Sequence, residues 1–353
     1  MNKLSRTGSL APKSATLAPM AASDSNLRDL LAALDEPALI VERQLVRIAN
    51  DAARALMGQA IEGGDVRLAI RHPQVLEFVL ARKAGDIDFT GVGAAGRPWR
   101  LAARRIGDDA LLLRLFDRSA AHAAEKLRVD FVANASHELR TPLTAVLGYS
   151  ESLADEDLDP ALASRFAGTI RSEARRMLRV IEDLMSLSRV EADRFVAPTD
   201  AVDVSSILRS SVESVRATAR ECGCDIHLDL QDDLPPVSGD FPQLVQIVDN
   251  LLNNAVRYGC AVPKCKIRLS AEIDNQWIRI EVSDTGPGIP RDHLPFLTRR
   301  FYRVDAARSR DSGGTGLGLA IVKHIVERHR GLLSIDSIVG EGTTVTVRLP
   351  IHN

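Results

Sequence analysis

Apolar positions along the chain follow two rhythms, and the changes of rhythm divide it. Between residues 25 and 118, Ala38-Leu39-Ile40-Val41 and Val46-Arg47-Ile48 read as short strands. Asn50-Asp51 caps a helix reaching Leu56, and Val75, Leu76, Phe78, Val79 and Leu80 mark a second helix over Pro73–Lys83. Three strands follow at Ile87–Phe89, Trp99–Ala102 and Ala110–Leu115. From Ser119 to about Val190 the period is helical. Phe131, Leu139, Leu143, Val146 and Leu153 form one stripe, and Phe166, Ile170, Met177, Val180, Leu184 and Leu187 form another. The acidic turn Asp155-Glu156-Asp157-Leu158-Asp159-Pro160 joins the two helices. Beyond residue 200 the rhythms alternate. Helices are predicted at Val204–Arg220, Phe241–Tyr258 and Leu317–His329. Strands are predicted at Asp225–Leu230, Lys266–Ile273, Trp277–Asp284, Leu332–Ile338 and Thr343–Leu349. Adjacent strands joined by Asp274-Asn275-Gln276 favour a mixed sheet with helices on one face over a doubly wound parallel sheet.

The expectation is a multidomain α+β chain: a tail over 1–24, an α/β domain over 25–118, a helical hairpin over 119–195 and a mixed-sheet domain over 200–353. A hairpin with one apolar stripe cannot bury it alone. Pairing two copies into a four-helix bundle does, which predicts a homodimer.

Composition narrows the picture. At 353 residues the chain is long enough for two or three cores, and a net charge of -2 gives no argument for nucleic acid as a partner. Arg299, Arg300, Arg303, Arg308 and Arg310 crowd one stretch, which suits phosphate contact as well as a solvated face. No run approaches the ~18 to 20 apolar residues of a membrane span. The Ser-, Ala- and Thr-rich start lacks the apolar segment of a secretion signal. The expected location is therefore cytoplasmic, with peripheral membrane association only through partners. Cys222, Cys224, Cys260 and Cys265 do not form paired C-x-x-C units, so reduced thiols in ordinary positions are expected, with a zinc site as the alternative.

Candidate chemistry starts at Ser136-His137-Glu138-Leu139-Arg140-Thr141-Pro142. Helical spacing turns Leu139 inward and His137 to solvent. Glu138 stands beside it to set the tautomer, and imidazole is a good nucleophile near neutral pH. Pro142 removes a backbone donor and predicts a kink. In Asp249–Tyr258, Asn250 and Asn254 share a helix face, although Asn is unfavourable in mid-helix. A carboxamide oxygen suits Mg²⁺, Arg257 suits phosphate, and Tyr258 can pack on a base. Asp284, at the end of a strand, can accept from an adenine amino group, and Gly286 and Gly288 allow close backbone approach. Gly313-Gly314-Thr315-Gly316-Leu317-Gly318 opens a helix whose N–H groups face phosphates. There is no G-x-x-x-x-G-K-[ST], and the spacing is not G-x-G-x-x-G.

Taken together and in this order, these motifs resemble a sensor histidine kinase, with a HisKA-type dimerisation domain and a GHKL-type (Bergerat) ATP-binding α/β sandwich over about Lys126–Pro350. The resemblance implies that His137 accepts phosphate, Glu138 is its acid/base partner, and Thr141 positions water for dephosphorylating a partner. It implies that Asn254 binds Mg²⁺, Asn250 supports the phosphates, and Asp284 reads adenine. About Pro295–Thr315 would form a lid over ATP carrying Phe301-Tyr302-Arg303. Thr315, Gly316, Leu317 and Gly318 would complete the nucleotide cradle. It implies ATP and Mg²⁺ as cofactors and a response regulator with a receiver domain as partner. The strand–helix–strand order of 25–118 resembles a PAS sensory domain, a purely structural dimerisation domain being the alternative. The lid sequence is similar to phosphate-regulon kinases of the PhoR type, although Arg299 stands where such lids commonly have Glu. A GHKL ATPase acting on DNA or client proteins, and a silent sensory scaffold, are the competing classes.

Overall fold

The computed structural model describes residues 24–91, 96–107, 109–154, 158–193, 196–260, 265–304 and 314–352. The expected tail up to residue 23, the acidic positions 155–157 and the lid positions 305–313, with Arg308, Arg310 and Gly313, lie outside the described residues. The chain divides into two compact units, Met1–Val129 and Asp130–Asn353. Among the described residues no helix is long and apolar enough to cross a membrane.

The first unit orders α1 (Asp24–Ala32), β1 (Ala38–Glu42), β2 (Leu45–Ala49), α2 (Asp51–Met57), α3 (Val66–Ala69), α4 (Pro73–Leu80), β3 (Gly85–Thr90), β4 (Pro98–Ile106) and β5 (Ala110–Asp117). Its sheet runs β2-β1-β5-β4-β3, antiparallel throughout. β1 is an unbroken apolar run because both of its faces are covered. Leu39 and Val41 join the main core with Val66, Ile70, Val75 and Leu113, while Ala38 and Ile40 pack with Leu31 of α1. The buried Asn50 ties this together. Its Oδ1 accepts from the Ala38 and Ala53 N–H groups, and its Nδ2 donates to the Leu31, Leu34 and Glu36 carbonyls. Every capacity of the carboxamide is thereby used. α1 begins at Asp24, the last residue of the expected tail.

Helix α5 covers Ser119–Ser152 and α6 covers Pro160–Ala192, with Asp159 capping α6 through its side chain. Pro142 lies inside α5 and is buried, so it does not end the helix. The sheet region contains β6 (Ala201–Val202), α7 (Val204–Glu221), β7 (Asp225–Leu230), β8 (Val237–Ser238), α8 (Phe241–Asn254), β9 (Lys266–Asp274) and β10 (Trp277–Asp284). A short 3₁₀ turn at Arg291–Phe296, α9 (Gly318–Arg328), β11 (Leu332–Ile338) and β12 (Gly342–Pro350) follow. The sheet order is β11-β12-β10-β9-β7, with β7–β9 parallel and the other pairs antiparallel. Ile267, Leu269, Ile278, Ile280, Val282, Val347 and Leu349 share one core with Ile207 and Leu208 of α7, Leu244 and Ile247 of α8, and Ile321 and Ile325 of α9.

Two departures from expectation bear on the site. The helix expected to reach Tyr258 is α-helical only to Asn254, and Ala255–Gly259 form a π turn. The extra residue per turn re-aims the side chains there, and such bulges are frequent at functional sites. The cysteines are not all free thiols either. Cys224, just before β7, is joined to Cys260, just after the π turn, across a Cα–Cα distance of 5.9 Å.

Candidate functional site

Helix α5 presents His137 to solvent, as the helical spacing predicts. The Thr141 hydroxyl donates to the His137 carbonyl at 3.2 Å, so part of the hydrogen bonding around the His137 turn comes from a side chain. Glu138 does not turn toward the imidazole. Its Oε2 accepts from Arg176 of α6 at 3.1 Å and from Arg303 at 2.9 Å. Two guanidinium groups attract a carboxylate more strongly than a neutral ring does, which accounts for the difference from the expected pairing.

On the sheet region, the Asn helix and the glycine segments meet. A Cβ built on Gly318, at the start of α9, would lie 3.0 Å from Asn250 Oδ1. One on Gly314 would collide with the Tyr258 hydroxyl and stand 3.3 Å from an Arg257 guanidinium nitrogen. Asn250, Arg257 and Tyr258 therefore line the approach to the glycine segment 314–318. Among the described residues the Asn254 side chain, half-buried at the end of α8, has no hydrogen-bond partner, which leaves its carboxamide oxygen available. The π turn brings Gly259 against the other wall. A Cβ on Gly259 would stand 2.8 Å from Asp284 Cβ, and one on Gly286 would stand 2.6 Å from Gly259 Cα. Gly288 adopts a φ of +67° and packs on the Ile338 carbonyl, a place that admits no side chain. Asp284 sits at the base of this wall. Burial raises its carboxyl pKa above the ordinary aspartate value, opposed by the backbone N–H groups of Gly286 and Thr343. The geometry offers a half-buried carboxylate, a polar helix face and glycine-lined backbone, a set able to hold a nucleotide.

The lid residues on either side of 305–313 are turned toward the helical hairpin. Arg303, expected at the nucleotide, instead holds Glu138, with its side chain only 7% exposed. Phe301 packs on Phe131 at 5.8 Å between ring centroids, and Arg300 pairs with Glu191. Thr315 Oγ1 donates to Asp183 Oδ2 at 2.7 Å and accepts from the Leu317 N–H. Burial pushes the Asp183 carboxyl pKa up, and this hydrogen bond counters it. Arg299, the departure from the usual lid sequence, stacks over Phe296 at 4.3 Å. Sequence reasoning missed the α6 side of these contacts. Its signal was present, since Arg176 and Asp183 are charged, lie seven residues apart and border the buried positions Val180 and Leu187.

Residues 127–193 match the family model described as "His Kinase A (phospho-acceptor) domain". Residues 239–353 match that described as "Histidine kinase-, DNA gyrase B-, and HSP90-like ATPase". The sensor-like histidine kinase SenX3 of Mycolicibacterium smegmatis is 37% identical over 261 residues, covering 73% of this chain and 67% of that protein. This chain belongs to the sensor histidine kinase family. Within the family, the phosphate regulon sensor protein PhoR of Pseudomonas aeruginosa is 40% identical over 237 residues, 67% of this chain and 53% of its own length. The sensor histidine kinase WalK of Bacillus subtilis is 34% identical over 249 residues, 69% of this chain and 40% of that protein. The chain thus spans about half the length of the PhoR relative, and less of WalK. The overall fold is similar to that of the histidine kinase ThkA, solved in complex with the response regulator protein TrrA. The TM-score is 0.52 at 17% identity, over 92% of this chain and 98% of that one.

Proposed function

We propose that this sensor histidine kinase transfers the γ-phosphoryl group of ATP to His137 and then to an aspartate of a separate response regulator. The observation that carries the reading is an exposed imidazole on a HisKA helix in the same chain as the Asn250–Asn254–Asp284 pocket. Asp284 accepts from the adenine amino group, and Asn250, Arg257 and the backbone N–H groups at the start of α9 face the phosphates. Asn254 is the residue placed to hold Mg²⁺, which when bound neutralises phosphate charge. The free imidazole nitrogen of His137 attacks phosphorus in line, and the β-phosphate oxygen leaves with ADP. For Glu138 to take part as acid/base, Arg303 must release it, so the lid contacts described above belong to a resting arrangement. Thr141, exposed one turn from His137, is the residue to orient water when phosphorylated regulator is hydrolysed.

Further parts of the reading rest on the same frame. The domain plan is 25–118 sensory, 119–195 dimerisation and phosphotransfer, and 200–353 catalytic. The strand order β2-β1-β5-β4-β3, with helices between β2 and β3, supports a PAS-like sensor. The open apolar face of the hairpin supports a homodimer. The likeness to PhoR supports a role in phosphate-starvation signalling, and a cytoplasmic location follows from the regulator as substrate. Incubation with radiolabelled ATP and Mg²⁺ tests the core reaction. The expected label is acid-labile, alkali-stable and absent from His137→Ala, whereas label retained in that variant rejects His137 as the acceptor.

A further inference from the structure

Three of the four cysteines converge behind the nucleotide pocket. Cys224 precedes β7 and Cys265 precedes β9, and these strands pair in parallel from Asp225 opposite Lys266. The two cysteines therefore enter the sheet side by side, and the Asp225 N–H donates to the Cys265 carbonyl at 3.3 Å. Cys260 arrives from the end of the π turn. The three sulfur atoms lie within 4.8 Å of one another. Cys224 and Cys265 are buried and Cys260 is half-buried, while Cys222 is exposed and outside the group. Small apolar packing explains one or two buried cysteines. It does not explain three sulfurs in mutual reach from three separate segments, two of them bonded and the third a free thiol.

The position of the bridge gives it a consequence. Cys260 directly follows Gly259, whose backbone abuts Asp284 and Gly286, and Arg257 and Tyr258 of the same turn face Gly314. Joining Cys260 to Cys224 pins the end of the segment that carries Asn250, Asn254, Arg257 and Tyr258. We propose that Cys224, Cys260 and Cys265 form an oxidant-modified site, closed by hydroperoxides, whose Cys224–Cys260 bridge holds the adenine end of the nucleotide pocket in place. The more accessible Cys260 thiolate attacks the peroxide, the O–O bond breaks, and a sulfenic acid forms as alcohol or water leaves. The Cys224 thiol then displaces water from that sulfur. Two thiols lose two electrons in total, and one hydroperoxide becomes one alcohol and one water. Cys265 stays a free thiol beside the bridge. Net reopening takes two electrons from an external dithiol such as a cellular thiol reductant, which leaves as its disulfide while Cys224 and Cys260 return to thiols. In a reducing compartment the pair is held open, so closure reports oxidant. The effect on nucleotide rests on the nucleotide-site reading above, and pre-organisation makes the closed form bind ATP more tightly.

The test uses the full chain, reduced and then treated with hydrogen peroxide, with two readouts: mass-tagging of free thiols and affinity for a fluorescent ATP analogue. Four tags are expected when reduced. Two are expected after oxidation, on Cys222 and Cys265, with a cross-linked Cys224–Cys260 peptide and several-fold tighter nucleotide binding. Cys222→Ala should close as the parent does. The double variant Cys224→Ala/Cys265→Ala leaves Cys260 without a buried partner, so oxidation should stop at a Cys260 sulfenic acid, with Cys222 still tagged, no cross-linked peptide and no affinity change. Four tags after oxidation, a bridge elsewhere, a tightly held zinc ion that blocks oxidation, or equal affinity in the two forms each overturns the proposal. Binding by the reduced chain tests the nucleotide reading separately, and the thiol count stands whatever that result.

Discussion

The second helix of the hairpin and the helices of the mixed-sheet region are all strongly amphipathic, yet they end in opposite conditions. In the sheet region α7, α8 and α9 press their apolar faces onto one side of a five-stranded sheet, and Leu208, Leu252 and Ile321 are fully buried. In the hairpin, Leu143 and Leu147 of α5 and Leu178, Ile181 and Met185 of α6 remain exposed, Met185 to 57%. Their spacings of three and four residues place them on coherent helix faces. A helix that finds a sheet completes its core within the chain, whereas a helix that finds one other helix keeps half its stripe for a second copy. His137, the proposed acceptor, sits on the element with the open apolar face, and the proposed nucleotide pocket sits on the element whose apolar faces are covered within the chain.

The sharpest way to break this comparison is to charge the open face. Ile181→Glu with Met185→Glu should convert a dimer to a monomer at micromolar concentration, read by light scattering. Each apolar side chain that loses its burial forfeits about 1.5–3 kcal/mol, twice over by symmetry. ATP-analogue affinity should not move. A variant that stays dimeric would remove the hairpin face from the interface.

The reciprocal variant, Asp284→Asn, should leave oligomeric state alone and weaken nucleotide binding by about 10- to 100-fold, since the amide is an uncharged, weaker acceptor and carries an N–H₂ donor in place of the second accepting oxygen. pH gives a second readout. Burial raises the Asp284 pKa in the free protein, and in the proposed pocket it is the ionised carboxylate that accepts from the adenine amino group. Affinity should therefore be complete well above that value and fall as pH drops through it, beginning above the ordinary aspartate range. The acid limb should be missing in Asp284→Asn.

Much of this was legible in the sequence where periodicity or a glycine spoke. The strands Asp225–Leu230 and Trp277–Asp284 have the bounds their alternation predicts. The exposure of His137 and the grouping of Asn250, Arg257, Tyr258, Asp284 and the glycines follow from spacing and motif order. Strands of two residues, β6 and β8, carry no period and were illegible. So was the π turn, because Ala255–Gly259 continue a helical pattern and only packing decides the wider winding. Long-range choices were hidden as well. Nothing local tells Glu138 to accept Arg176 and Arg303, or Thr315 to reach Asp183, because those pairings join residues 132 or more apart in two of the three cases.

The pairing of Glu138 with Arg303 joins the two regions, and a milder change tests it. Arg303→Ala removes a nearly buried guanidinium while Arg176 keeps the carboxylate paired, so the loss of stability should be about 1.5–3 kcal/mol by chemical denaturation. If the contact belongs to a resting arrangement, the rate of His137 labelling per bound ATP should rise. A fall at unchanged ATP affinity would place Arg303 in the transfer step instead.

The smallest expected effect lies wholly within the sheet region and shows how self-sufficient it is. His329 at the end of α9 is buried, and its ring bridges two elements. Nε2 accepts from the Asp240 N–H at 3.0 Å, ahead of α8, and Nδ1 donates to the Ile325 carbonyl at 2.8 Å. Both contacts require the neutral ring, because protonation would set an N–H against the Asp240 N–H. Burial lowers the His329 pKa, offset in part by the bond to Ile325. The unfolded chain therefore takes the proton first. Stability from this group is complete above the ordinary histidine value and is lost as pH falls from there toward the depressed folded value, by at most about 1.4 kcal/mol per pH unit. Urea midpoints of the parent and His329→Gln at pH 7.5 and 5.5 measure it. The parent should lose more stability between the two than the variant, whose uncharged carboxamide does not titrate. Equal losses would assign the acid sensitivity to carboxylates such as Asp183 and leave the α8–α9 junction indifferent to pH.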